Sequence, residues 1–189
     1  MAKIIPKLYR LFASKVFFTV TLVWFGLQAS WIALSGLYPM AYDERFHFEL
    51  IKIYAGRLHP FWAASPAGDA PFGPIARDTS YLYHFLMSWP YRIIEAITSD
   101  QRTQIILLRF SSIFFFIAGI IVFRKVLRRA GCSNALSNVV LAIFAATPLV
   151  SLLAAQVNYD NLLFLVFALA LLLTQKILQD IKTNKKLST

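Results

Sequence analysis

The chain has a single cysteine, Cys132, in 189 residues. One thiol excludes an intramolecular disulfide and a multi-cysteine zinc site, and Cys132 reads as a loop thiol. Acidic residues are scarce as well: nine, against nineteen lysines and arginines, for a formal net charge of +10. In a soluble protein that imbalance would point to nucleic acid. Here the basic residues flank apolar blocks, which membrane orientation explains, so no nucleic-acid partner is expected. There is no internal repeat and no low-complexity tract.

Apolar residues are plentiful. They make up 58% of the chain, and the mean hydropathy is +0.61. They fall in four long blocks, about 16–37, 103–123, 135–155 and 160–178. Each supplies roughly 20 helical residues, enough to cross a hydrocarbon core of ~30 Å. Arg109 interrupts the second block. Pro148 lies inside the third and predicts a bend there. Because only a short polar link joins the third and fourth, they read either as two spans or as a re-entrant pair. The first block is too long for the h-region of a signal peptide and is expected to remain as the first membrane helix.

Three clusters of positive charge accompany these blocks: Lys3, Lys7, Arg10 and Lys15; Arg124, Lys125, Arg128 and Arg129; and Lys176, Lys182, Lys185 and Lys186. All three belong on the cytoplasmic side. Four spans then place both termini inside and leave two outer loops, 38–102 and Gln156 to Asn161. Seven of the nine acidic residues fall in the longer loop, with six basic ones. The expectation is an all-α, multi-pass integral membrane protein, one domain over 1–189, in contact with membrane lipids and most simply placed in the plasma membrane.

The long outer loop is too apolar to be a plain linker. From Glu44 to Tyr54, Phe46, Leu50, Ile53 and Tyr54 recur at helical spacing, and Gly56 is a stop. A second pattern runs through Leu82, Phe85, Leu86, Trp89, Ile93, Ile94 and Ile97. Its opposite face carries His84, Ser88, Arg92 and Glu95. Pro90 predicts a kink or split in it. Both read as helices lying flat in the membrane interface. Residues 60–74 read as an irregular loop, and 182–189 as a disordered basic tail.

Candidate chemistry centres on Tyr42-Asp43-Glu44-Arg45-Phe46-His47-Phe48, directly after the first apolar block. Ionisable residues at such a place are costly unless they face water, a partner or a substrate. Asp43 and Glu44 read either as a general base for an acceptor hydroxyl or as the N-cap and first-turn anion of a helix. His47 shares their face, at i+4 and i+3, and reads as an orienting or acceptor-binding group or as a plain surface histidine. Three possible ligands could hold a divalent metal, but no further pair stands out, so a metal is not favoured. Asn158, Tyr159 and Asp160, with Gln156 and Asn161, form a second outer cluster. Its members read either as a helix cap or as polar ligand contacts. Arg109 needs an anion, and three are open to it: an outer-loop acid, the headgroups, or a lipid phosphate. His84 reads as interfacial, with no assigned role.

These features together resemble the N-terminal part of the GT-C superfamily of membrane glycosyltransferases, of the protein mannosyltransferase and aminoarabinose transferase type. Asp43-Glu44-x-x-His47-Phe48 is the most specific match, and Tyr81-Leu82-Tyr83-His84 a looser one. The early Arg109 and the Gln-x-Asn-Tyr-Asp-Asn link add to it. The resemblance covers nearly the whole chain and the first third to half of a typical member. It implies a polyprenyl-phosphate sugar donor, with Asp43 as the base that activates an acceptor hydroxyl. It places Glu44 beside Asp43 in acceptor or phosphate binding. On this reading His47 orients the acceptor and Arg109 offsets phosphate charge. Two rivals are a non-catalytic subunit working with a partner membrane protein, and a small transporter. The transporter predicts mid-membrane ionisable residues in several spans, and only Arg109 approaches that.

Overall fold

The computed structural model describes residues 4–40, 43–61 and 82–187. Among them the chain forms eight helices and no strand: α1 (Ile4–Ala13), α2 (Lys15–Ser35), α3 (Glu44–Ala55), α4 (Leu82–Ile97), α5 (Gln101–Arg129), α6 (Asn134–Ala146), α7 (Pro148–Ala154) and α8 (Tyr159–Leu187). α2, α5 and α8 are long and apolar enough to cross a membrane. The α6–α7 pair becomes a fourth candidate if it counts as one span. Most of the irregular stretch expected at 60–74 lies outside the described residues, as do Tyr42 and Tyr81 of the two motifs.

The helices follow the apolar blocks, with four differences. The basic leader is itself helical as α1, whose Ile4, Leu8 and Leu11 recur at helical spacing. Ser14 ends it and caps α2, its hydroxyl accepting from the Phe17 amide at 3.0 Å. The third block is broken by 75° between Ala146 and Pro148, a sharp form of the expected bend. α8 continues to Leu187, so the backbone of 182–187 is helical where a disordered tail was expected. α4 passes through Pro90 in one piece and is not split.

Packing explains the bundle. α5 is the central helix and runs along α8. Gly119 lets the two approach: a Cβ there would lie 2.5 Å from the Phe164 ring and 3.3 Å from the Leu165 amide nitrogen. The ring cannot swing away cheaply, because it is packed among Phe116, Phe144 and Phe123 with centroids 4.9, 5.8 and 6.0 Å away. Gly119→Ala is therefore expected to destabilise by about 1–3 kcal/mol through overpacking. Unfolding in detergent reads this out, and an unchanged midpoint would mean that the helices are not in contact there.

A separate layer, α3 against α4, covers one end of the bundle, where α2 finishes and α5 begins. The face of α4 that meets α3 is the more polar one. Tyr83, His84, Met87, Ser88 and Tyr91 are buried, whereas Leu82, Leu86, Trp89, Ile93 and Ile97 are exposed. In an ordinary soluble domain the two faces would be exchanged. Arg92 locks the layer by donating from Nε to the Ala55 carbonyl at 2.9 Å and from Nη2 to the carbonyls of Tyr54 and Arg57. These carbonyls lie at or just past the end of α3, where regular helical bonding stops, and that of Tyr54 also accepts from the Arg57 amide at 3.0 Å.

Candidate functional site

The site grows from two helix ends. α2 stops at Ser35 and leaves its last carbonyls without intrahelical partners. Arg109, two turns into α5, supplies donors to them. Its Nη1 donates to the carbonyls of Ala33 and Gly36, both at 2.9 Å, and Nη2 reaches that of Leu37 at 3.4 Å. A cation also suits the negative end of the α2 dipole. The rest of the guanidinium goes to Glu44: Nε and Nη2 donate to its two carboxylate oxygens at 2.8 and 2.7 Å. Glu44 sits in the first turn of α3, where the helix dipole favours an anion.

Glu44 accepts two more bonds, from the backbone amides of Met40 at 2.8 Å and Val157 at 3.2 Å. The single ion pair thus ties together α2, α3, α5 and the α7–α8 link. Glu44 and Arg109 are each 1% exposed. Of the three anions open to Arg109, the acid at the head of α3 is the one it meets. Its five N–H donors are all committed, which leaves none for a phosphate.

Asp43, its neighbour, is placed differently. Successive residues at a helix start point in different directions, so Glu44 turns inward and Asp43 outward. The Asp43 side chain is 54% exposed. Asp43 does hold the N-cap position of α3, but its carboxylate makes no capping hydrogen bond.

His47 lies behind Asp43 and is 1% exposed. Its Nδ1 is 2.8 Å from Nε2 of His84, and the two rings lie edge to edge, 23° from coplanar, with centroids 5.1 Å apart. Its Nε2 is 3.8 Å from Oδ2 of Asp43. The Tyr159 ring meets it edge-on at 5.1 Å. Burial pushes the His47 pKa down to about 4, against the opposing pull of Asp43 and Glu44. The unfolded ring titrates near its ordinary value of 6.5 and so binds a proton first as pH falls. Stability is therefore lost between about pH 6.5 and about pH 4, by about 3 kcal/mol in all, and is whole above that window. Unfolding of wild type beside His47→Gln at pH 7.5 and pH 4.5 isolates the effect. A constant difference between the two proteins would count against a buried neutral histidine.

The second cluster divides. Asn158 Oδ1 accepts from the Asp160 amide at 3.0 Å, which is the capping role. Tyr159 and Asp160 are exposed at the start of α8. Asn161 is buried and donates to the carbonyls of Leu153 and Gln156 at 3.2 and 3.0 Å. The two clusters meet, through Tyr159 on His47 and through the Val157 amide on Glu44. A cavity of about 260 Å³ opens on the other flank of Arg109, lined also by Gly36, Tyr38, Arg102 and Ile105. Among the described residues no group of three or more His, Cys, Asp or Glu side chains is placed to hold a metal ion.

His84 is the site residue that sequence reading left without a role. The signal was its place on the only polar stripe of an otherwise apolar helix. On a helix whose apolar face is exposed, that stripe has to meet protein.

No protein-family model, curated protein or solved structure matches this chain. The class it belongs to rests on its own fold: an all-helical protein with three helices, or four with the bent pair, able by length and composition to cross a membrane.

Proposed function

We propose that this chain is a membrane glycosyltransferase module of the GT-C type, moving a sugar from a polyprenyl-phosphate donor to an acceptor hydroxyl. The hydroxyl oxygen attacks the anomeric carbon, and its proton passes to the Asp43 carboxylate. The bond from that carbon to the phosphate oxygen breaks, and the phosphate leaves with the electron pair. The reading is carried by one contrast: of two adjacent carboxylates, Glu44 is consumed by Arg109 while Asp43 is exposed beside a buried histidine. Glu44 and Arg109 then brace the site. His47 orients the reacting groups, Tyr159 walls them, and Asn158 and Asp160 form the rim. Arg102, which carries no ion pair among the described residues and lines the cavity beside Arg109, is the cation that would offset phosphate charge.

The basic clusters orient the protein with both termini cytoplasmic and the α3–α4 layer at the outer face of the plasma membrane. The exposed apolar faces of α2, α4 and α8 suit lipid tails, including the donor's. The same faces, such as Leu163, Phe167 and Leu173 of α8, also favour a second reading. In it the chain is a non-catalytic subunit that binds lipid-linked sugar beside a partner membrane protein.

The test is sugar transfer from radiolabelled polyprenyl-phosphate sugars in membranes holding this chain, wild type beside Asp43→Asn. Transfer by wild type that is lost in the variant supports the catalytic reading. Equal transfer by both removes Asp43 as the base. No transfer by either moves the assignment to the subunit.

A further inference from the structure

The buried contact between His47 and His84 admits two arrangements of protons, and the surroundings of His47 favour one of them. A neutral imidazole has one donor nitrogen and one acceptor nitrogen. His47 therefore either accepts at Nδ1 from His84 and carries its own hydrogen on Nε2, or the reverse. Nε2 of His47 is buried and has no hydrogen-bond partner among the described residues. The nearest charged group is the Asp43 carboxylate at 3.8 Å. A bare lone pair on Nε2 would face that negative charge, whereas an N–H would point positive charge at it.

We infer that His84 is a positioning residue, which donates from Nε2 to Nδ1 of His47 and so fixes His47 as the Nε2–H tautomer directed at Asp43. The partner of one ring nitrogen sets the state of the other. The in-line contact with His84, 23° from coplanar, and the edge-on rings of Tyr159 and Phe46 hold the imidazole plane. At 3.8 Å the N–H is too far for a full hydrogen bond to the carboxylate. Such catalytic contacts commonly shorten when substrate binds. Once closed, the contact holds one oxygen of Asp43 and leaves the other turned toward the incoming hydroxyl. This consequence for transfer rests on the glycosyltransferase reading; the tautomer does not.

The experiment uses the full chain labelled with 15N-histidine, in bilayers near pH 7. The protein has three histidines, so the spectrum can be assigned by replacing each in turn. Protonated and bare ring nitrogens are well separated in 15N shift. The expected wild-type result is a protonated Nε2 and a bare Nδ1 on His47. His84→Leu should move the His47 shifts toward mixed tautomers. His84→Gln, whose amide keeps a donor where Nε2 was, should restore the wild-type pattern. A protonated Nδ1 on His47 in wild type overturns the inference. So does a His47 pattern unchanged in His84→Leu. If His84→Leu does not fold, the wild-type shifts and the glutamine variant decide.

Transfer assays on the same proteins separate the two readings. His84→Leu should lower turnover on the order of 10-fold, with recovery in His84→Gln. Wild-type protein with the expected tautomer but no transfer would count against the proposed function and leave the role of His84 in place.

Discussion

Arg109→Met should lower the stability of the protein by about 3–5 kcal/mol, the usual cost of removing one partner from a buried ion pair. The loss has two sources. The Glu44 carboxylate remains buried without its countercharge, and the carbonyls of Ala33, Gly36 and Leu37 lose their donors. The cost of the second should be partial, since lipid headgroups or water can reach the end of a helix. A double variant distinguishes the two. Glu44→Leu with Arg109→Met leaves no buried charge and should recover part of the loss. It should not recover all of it, because the amides of Met40 and Val157 then lack their acceptor, at about 1–3 kcal/mol for each that stays dry. Equilibrium unfolding in mixed micelles measures all three proteins. A loss below about 1 kcal/mol for Arg109→Met would mean that solvent reaches the pair and that it does not hold the helices together.

Asp43→Asn should have the opposite profile. The substitution falls on an exposed side chain with no capping bond, so stability should stay within about 0.5 kcal/mol of wild type. On the proposed transferase reading, transfer should fall by about 10²–10⁴-fold, the range for losing a general base. Glu44→Gln is the matched control. It removes the neighbouring charge but strikes the ion pair, so it should cost stability first and activity only in proportion to folded protein. If the two variants lose transfer to the same extent at equal folded fraction, the division of labour between the carboxylates is wrong.

Much of this is legible in the amino-acid sequence. Apolar blocks long enough to cross a bilayer gave the helices, and Gly56 and Pro148 marked a stop and a bend. An arginine inside an apolar block announced that it needed an anion. What could not be read was direction. Asp43 and Glu44 are adjacent, so a helix start sends them different ways, but nothing in the residues says which turns inward. That depends on where Arg109 and the Val157 amide arrive, 65 and 113 residues later. α4 shows the same limit. Its apolar stripe is plain in the sequence, yet periodicity alone cannot say whether such a stripe meets protein or lipid. Because that stripe points away from the protein, His84 faces inward to meet His47, 37 residues earlier in the chain. The helical continuation to Leu187 had no apolar period to announce it.

The ion pair also imposes an order of assembly. Synthesis adds roughly 5–20 residues per second, so Glu44 exists for about 3–13 s before Arg109 and about 6–23 s before Val157. Until Arg109 arrives, the carboxylate has only the Met40 amide among its partners and must stay hydrated. The head of α3 cannot settle into apolar surroundings until α5 has entered the bundle. It cannot finish doing so until the link after α7 delivers its amide. Docking of the α3–α4 layer onto the bundle is thus a late event, timed by the arrival of chain made long after the layer itself.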